Sequence, residues 1–161
     1  MTQPTTQDSF SPPWFLIVGL LAGVAFVAFI IWDSAGPTQK KNANPNVVEL
    51  TQANWQKEVV ESKIPVFVDF TASWCPPCRA FAPTVDKLAE QYKGKAKIAK
   101  FDMGDKSFSN GRKLAEKYGI DGIPHLMIFK GGDEPLAQFR GISDTTEMEI
   151  TQALDKILAT P

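Results

Sequence analysis

The apolar positions divide the chain into two unlike parts. From Trp14 to Trp32 it reads WFLIVGLLAGVAFVAFIIW, without one charged side chain. At about 1.5 Å per residue, a helix of this length matches the hydrocarbon thickness of a bilayer. The two tryptophans stand at its ends, where indole rings suit the polar–apolar boundary. The pattern predicts a transmembrane anchor over 14–32, preceded by a tail over 1–13. A cleaved signal peptide fits less well, because no basic segment precedes the run and Asp33-Ser34-Ala35 is a poor cleavage site. Residues 33–46 (DSAGPTQKKNANPN) are polar, rich in turn formers and without apolar periodicity, which reads as a flexible linker.

Beyond it, over 47–161, the pattern alternates between strand and helix. Val47–Leu50 is a short β-branched run, and Thr51 is placed to cap a helix reaching about Ser62. Pro65–Thr71 is nearly continuous in apolar residues, as a strand buried on both faces requires. Phe81, Val85, Leu88, Ala89 and Tyr92 recur at spacings of three and four, predicting a helix from about Cys78 to Tyr92 with Pro83 kinking it. Lys97–Asp102 is a third strand, followed by a helix over roughly Phe108–Tyr118. His125–Lys130 and Leu136–Arg140 flank Gly131-Gly132 and read as an antiparallel hairpin. Thr145–Ala159 closes the chain as an amphipathic helix carrying Met148, Ile150, Leu154, Ile157 and Leu158. The order βαβαβαββα calls for an α/β fold, a mixed central sheet flanked by helices on both faces.

Composition narrows the function. With 161 residues, 43% apolar and 22% charged, the chain suits one globular domain plus appendages. A formal net charge of −1 offers no basic footprint for nucleic acid. Two cysteines and a single histidine fall short of a structural zinc set, so no metal is expected. The chemistry then rests on Trp74-Cys75-Pro76-Pro77-Cys78-Arg79, at the junction of the strongest strand and its helix. Two thiols so spaced can close a small ring without moving the surrounding backbone. The first meets the positive end of the helix dipole, which favours the thiolate, the attacking species in disulfide exchange. Cys75 is therefore the expected nucleophile. Cys78, one turn inside the helix and expected to lie deeper, resolves the mixed disulfide. Pro76 and Pro77 withdraw two backbone donors and stiffen the loop between them.

The stretch VFVDFTASWCPPCRAFAPTVDKLAEQY resembles the active-site strand and helix of the thioredoxin family, with Pro83 at the family's kink position. KYGIDGIPHLMIFKGG resembles its cis-proline segment, and FRGIS its glycine turn before the last helix. The resemblance runs from Val47 to the chain end and implies a thioredoxin fold. It also implies a protein-disulfide reductase whose redox-active cysteine pair replaces any cofactor. Asp69, six positions before Cys75, falls where the family has a buried carboxylate that takes the proton of the second cysteine. Burying an ionised carboxylate in so apolar a strand is costly, so its pKa should rise. Lys100 matches the lysine near that carboxylate, and is otherwise a solvated strand residue. Ile123-Pro124 matches the cis-peptide, whose backbone would receive an extended substrate, with Trp74 flanking the groove.

Two departures bear on location. Cytosolic members carry Gly-Pro between the cysteines and tryptophan at the position of Thr71, whereas Pro-Pro is familiar in membrane-attached, extracytoplasmic relatives. His125 after the cis-proline is similar to membrane-anchored thioredoxin-like proteins of cyanobacteria and photosynthetic membranes. It could tune Cys75 by a hydrogen bond or by charge, or be a strand residue with a satisfied ring. The resemblance implies a plasma or thylakoid membrane protein whose redox domain faces the periplasm or lumen. Its partners would be disulfide-bearing proteins and an electron donor, either a membrane thiol transporter or thioredoxin reductase. Lys40 and Lys41 after the apolar run, against Asp8 before it, instead place the domain in the cytoplasm by the positive-inside rule. The reading leans to the extracytoplasmic side. Two other uses of the same pair stay open, disulfide oxidation or isomerisation and the handling of a soft ion such as Cu(I).

Overall fold

A computed structural model describes residues 44–160. The expected tail, the anchor and the linker up to residue 43 lie outside the described residues. Among those described, no helix is long and apolar enough to cross a membrane.

Five strands form one sheet: β1 (Val47–Leu50), β2 (Val66–Thr71), β3 (Lys97–Asp102), β4 (His125–Phe129) and β5 (Ala137–Arg140). Their spatial order is β1-β3-β2-β4-β5. The first three run parallel, β4 is antiparallel to β2, and β5 is antiparallel to β4. This is the thioredoxin arrangement, a mixed sheet with helices on both sides.

Alternation along β2 explains how the sheet holds two cores. Val66, Val68 and Phe70 enter one cluster with Val59 and Trp55 of the first helical segment and Leu114 of the third. Phe67 enters the other, with Phe81, Val85 and Leu88 of the second helix and Ile150 and Leu154 of the last. Successive strand side chains point to opposite faces, so a near-continuous apolar run is what a doubly covered strand needs. Each fully buried large side chain contributes about 1.5–3 kcal/mol by leaving water. On the first face Trp55 lies 5.7–6.0 Å, ring to ring, from Phe70, Phe101, Tyr118 and Phe129.

The helices are α1 (Gln56–Val60), α2 (Pro76–Gln91), α3 (Arg112–Tyr118) and α4 (Thr146–Ala159). Each differs in some detail from the reading of the periodicity. α1 is a π-type turn where the reading expects an ordinary helix, with the Glu61 N–H reaching the Gln56 carbonyl at 2.9 Å. Thr51 caps this segment as expected: its hydroxyl accepts the Asn54 N–H, the Asn54 side chain accepts the Thr51 N–H, and the Trp55 N–H reaches the Thr51 carbonyl at 3.1 Å. α3 begins four residues later than expected because Phe108 adopts a left-handed φ of 56°, which an α-helix cannot contain. On α4, Met148 is exposed, and buried Thr146 continues the stripe of Ile150 and Leu154 at the four-residue spacing. The stripe of α2 is buried throughout, and the helix continues through Pro83.

Candidate active site

Cys75 ends the loop after β2 in extended conformation and is the N-cap of α2. Pro76 and Pro77 occupy the first two helical positions, where a missing N–H costs no helical bond and a fixed φ is already suitable. α2 therefore starts two residues earlier than the apolar stripe indicates. Cys78 is the third helical residue, and its N–H donates to Cys75 Sγ at 3.3 Å. With both prolines lacking donors, this amide serves the first sulfur at the helix start.

The two cysteines are joined as a disulfide, with Cα atoms 5.3 Å apart. Each is 2% exposed, so the expectation that Cys78 lies deeper is not met in this oxidised form. Ala72 and Ile123 pack against the pair. Ile123-Pro124 is a cis peptide, and the Ile123 carbonyl oxygen stands 3.7 Å from Cys75 Sγ. Trp74 is partly exposed beside the pair, and its indole N–H donates to the Gly104 carbonyl at 2.6 Å. Arg79 ties the same loop down through the Ser73 carbonyl at 2.8 Å.

Asp69 shares its face of β2 with Phe67, the face covered by α2 and hence by the helix bearing Cys78. It is 1% exposed, and its Oδ1 has no hydrogen-bond partner among the described residues. Burial raises its pKa to about 7, against the opposing pull of the Lys100 charge. Lys100 is its cross-strand neighbour on β3, and pairs at 3.7 Å with Asp86 Oδ1 of α2. Sequence reasoning named Asp69 and Lys100 but missed Asp86, whose signal is an acidic residue flanking the apolar stripe. It also missed Gly104, since a carbonyl acceptor leaves no mark in a side-chain pattern.

His125 lies on the opposite side of the sheet from Asp69. It pairs with Phe70 in register, and the two rings meet edge to face at 6.5 Å. The imidazole is buried, its Nε2 has no partner among the described residues, and burial lowers its pKa. The ring is accordingly neutral near pH 7. Phe70 and His125 therefore form the layer on one side of β2 and β4, while Asp69, Lys100 and Asp86 form the polar group on the other. No cluster of three or more potential metal-ligating side chains occurs among the described residues.

Comparison with known proteins agrees with this geometry. The thioredoxin family model matches residues 46–156. Thioredoxin 1 of Nostoc sp. is 41% identical over 110 residues, covering 68% of this chain and 95% of that protein. Thioredoxin of Synechocystis sp. is 38% identical over the same length, with the same coverage. A chloroplastic M-type thioredoxin of Zea mays is 37% identical over 120 residues, covering 74% of this chain and 67% of the relative. Most of the chain, including every residue placed around the disulfide, falls within these matches, and the protein belongs to the thioredoxin family of thiol–disulfide oxidoreductases, with Cys75 and Cys78 as its redox pair.

Proposed function

We propose that this protein is a membrane-anchored protein-disulfide reductase, held by residues 14–32 and working on the periplasmic or lumenal side. The observation that carries the direction is Asp69, buried under the redox helix and poised to exchange a proton near neutrality. The Cys75 thiolate attacks one sulfur of a substrate disulfide, forming a mixed disulfide and releasing the other sulfur as a thiolate, which takes a proton from water. Asp69 then accepts the Cys78 proton, and Cys78 attacks Cys75 Sγ. The Cys75–Cys78 bond forms, the mixed disulfide breaks, and two electrons have passed to the substrate. A donor dithiol resets the pair by the reverse exchange.

Geometry supports the substrate side of this scheme. Trp74 and the cis Ile123-Pro124 peptide border the sulfurs, and the Ile123 carbonyl is positioned to meet extended backbone. The anchor rests on the uncharged apolar run and its flanking tryptophans. The side rests on Pro76-Pro77 and His125, shared with extracytoplasmic relatives.

Two experiments test the reading. Cys78→Ser should accumulate mixed disulfides through Cys75, seen as reducible adducts on non-reducing gels, and Cys75→Ser should not. A variant that traps no partner would remove the reductase assignment. For the side, a membrane-impermeant maleimide applied to reduced, intact cells should label Cys75. Protection until lysis would place the domain in the cytoplasm.

A further inference from the structure

Two carboxyl oxygens on the α2 side of the sheet are buried without a hydrogen-bond partner among the described residues, Oδ1 of Asp69 and Oδ1 of Asp86. Asp69 exchanges a proton with Cys78, whereas Asp86 has no step in the exchange. It lies eight residues after Cys78 on α2, about 12 Å along the helix axis, and so does not touch the sulfurs. Its Oδ1 is turned inward although its side chain as a whole is 43% exposed. What that oxygen meets is the Lys100 ammonium, 3.7 Å away.

Lys100 stands between the two acids. On β3 it is the register partner of Asp69, and neighbouring strands lie only about 4.8 Å apart. Its flexible four-carbon stem can carry the ammonium toward either carboxyl group. The Lys100 charge favours an ionised Asp69, and how strongly depends on where the ammonium rests. Held against Asp86, that charge is offset by an opposite one, and the pair is partly open to water. Burial then dominates at Asp69.

The other charged and titratable groups on this side are farther off or already engaged. Glu49 is the register partner of Lys100 on β1, and Asp102 follows it two residues along β3. Neither reaches ion-pair distance of Lys100, and Asp102 Oδ1 accepts the Gly104 N–H at 2.9 Å. β4 sets Leu126 beside Asp69, and α4 brings Ile150 and Leu154. On α2, Glu90 accepts from the Asn46 side chain, Arg79 donates to the Ser73 carbonyl, and the Tyr92 hydroxyl donates to Asp155. Asp86 is thus the acid that holds Lys100.

We propose that Asp86 is a positioning residue for the exchange: it draws the Lys100 ammonium off Asp69 and so keeps Asp69 basic enough to accept the Cys78 proton. The inference rests on the reading of Asp69 as that acceptor. With Lys100 unopposed, Asp69 would be a weaker base and take the proton less readily.

The test is a carbon NMR titration of the Asp69 carboxyl, in the full chain held in detergent. The disulfide form is used, where no thiol titrates nearby, and the signal is identified by its loss in Asp69→Asn. Asp86→Asn should lower the Asp69 midpoint by about one pH unit. Asp86→Glu, which keeps the charge, should leave it largely in place. In a Lys100→Met background, Asp86→Asn should move the midpoint less than about a third as far, because the intermediary is gone. In stopped-flow measurements the pH midpoint of mixed-disulfide resolution should fall with the carboxyl midpoint, whereas structural damage alone slows the step at every pH. Should Asp86→Asn fail to fold, Asp86→Ser takes its place. An unmoved carboxyl midpoint, or an equal drop without Lys100, overturns the positioning role. A carboxyl midpoint that falls while resolution ignores it leaves the coupling standing and removes Asp69 as the proton acceptor.

Discussion

Asp69 is a carboxyl group whose ionised form the folded chain solvates poorly, and its pKa of about 7 stands well above the ordinary value of 3.8. Between those values the native state binds more protons than the unfolded chain, so this group makes stability fall as pH rises from about 4 to about 7. From pH 5 to pH 8 the loss from this one group is roughly 2–3 kcal/mol. Asp69→Asn should remove that slope, read from urea midpoints at the two pH values. The same substitution should slow resolution of the mixed disulfide on the order of 10²-fold, in stopped-flow insulin reduction, and abolish its dependence on pH near 7. His125 acts in the opposite sense, since burial lowers its pKa and protonation below about 6.5 opposes folding. The buried state of Asp69 was legible because the run around it, Val66, Phe67, Val68 and Phe70, is apolar on both faces of the strand. The side occupied by His125 needed the β2–β4 register, which no single strand contains.

At the scale of elements, the loop between β3 and α3 matters more than its sequence announces. Gly104 has φ of 80°, and a Cβ there would meet Ser109 Oγ at 2.5 Å. Its carbonyl also receives the Trp74 indole. Gly104→Ala should cost about 1–3 kcal/mol, measured by urea unfolding, and release Trp74 from its place beside the disulfide. Strands and helix faces were largely readable because burial enforces period two or 3.6. Helix ends were less so, because they depend on local bonds: Thr51 caps the first segment as its side chain suggests, but an i+5 bond makes α1 a π-type turn, and left-handed Phe108 delays α3. Met148 marks another limit of the same reasoning. It lies two residues before Ile150, which on a helix points it away from the stripe, and the Thr146 hydroxyl accepts the Ser143 N–H at 2.8 Å instead.

Over the whole molecule, two clusters among the described residues cover the two sides of the sheet. The cyanobacterial relatives are matched over 95% of their length by this part. A chain beginning at Asn44, fully reduced beforehand, should therefore reduce insulin disulfides in a single turnover within about twofold of the rate of the full chain. A larger loss would show that the N-terminal residues contribute to the redox site. Fold class and redox pair could be foreseen from strand alternation and one short motif. Of the polar layer, Asp69 and Lys100 were foreseen through the family resemblance, whereas Asp86 was not, because its place depends on how α2 lies across β2 and β3.

The near-complete burial of Cys75 and Cys78, with Ala72 and Ile123 packed against them, has a kinetic meaning. Small thiols in the surrounding fluid find almost no sulfur surface to strike, so stray electrons enter the pair slowly. A protein that docks along Trp74 and the cis peptide brings its own thiol to the covered bond in a fixed line. Current through the pair is thereby insulated from the general thiol pool, and its redox state follows the supply and demand of the proteins that fit it.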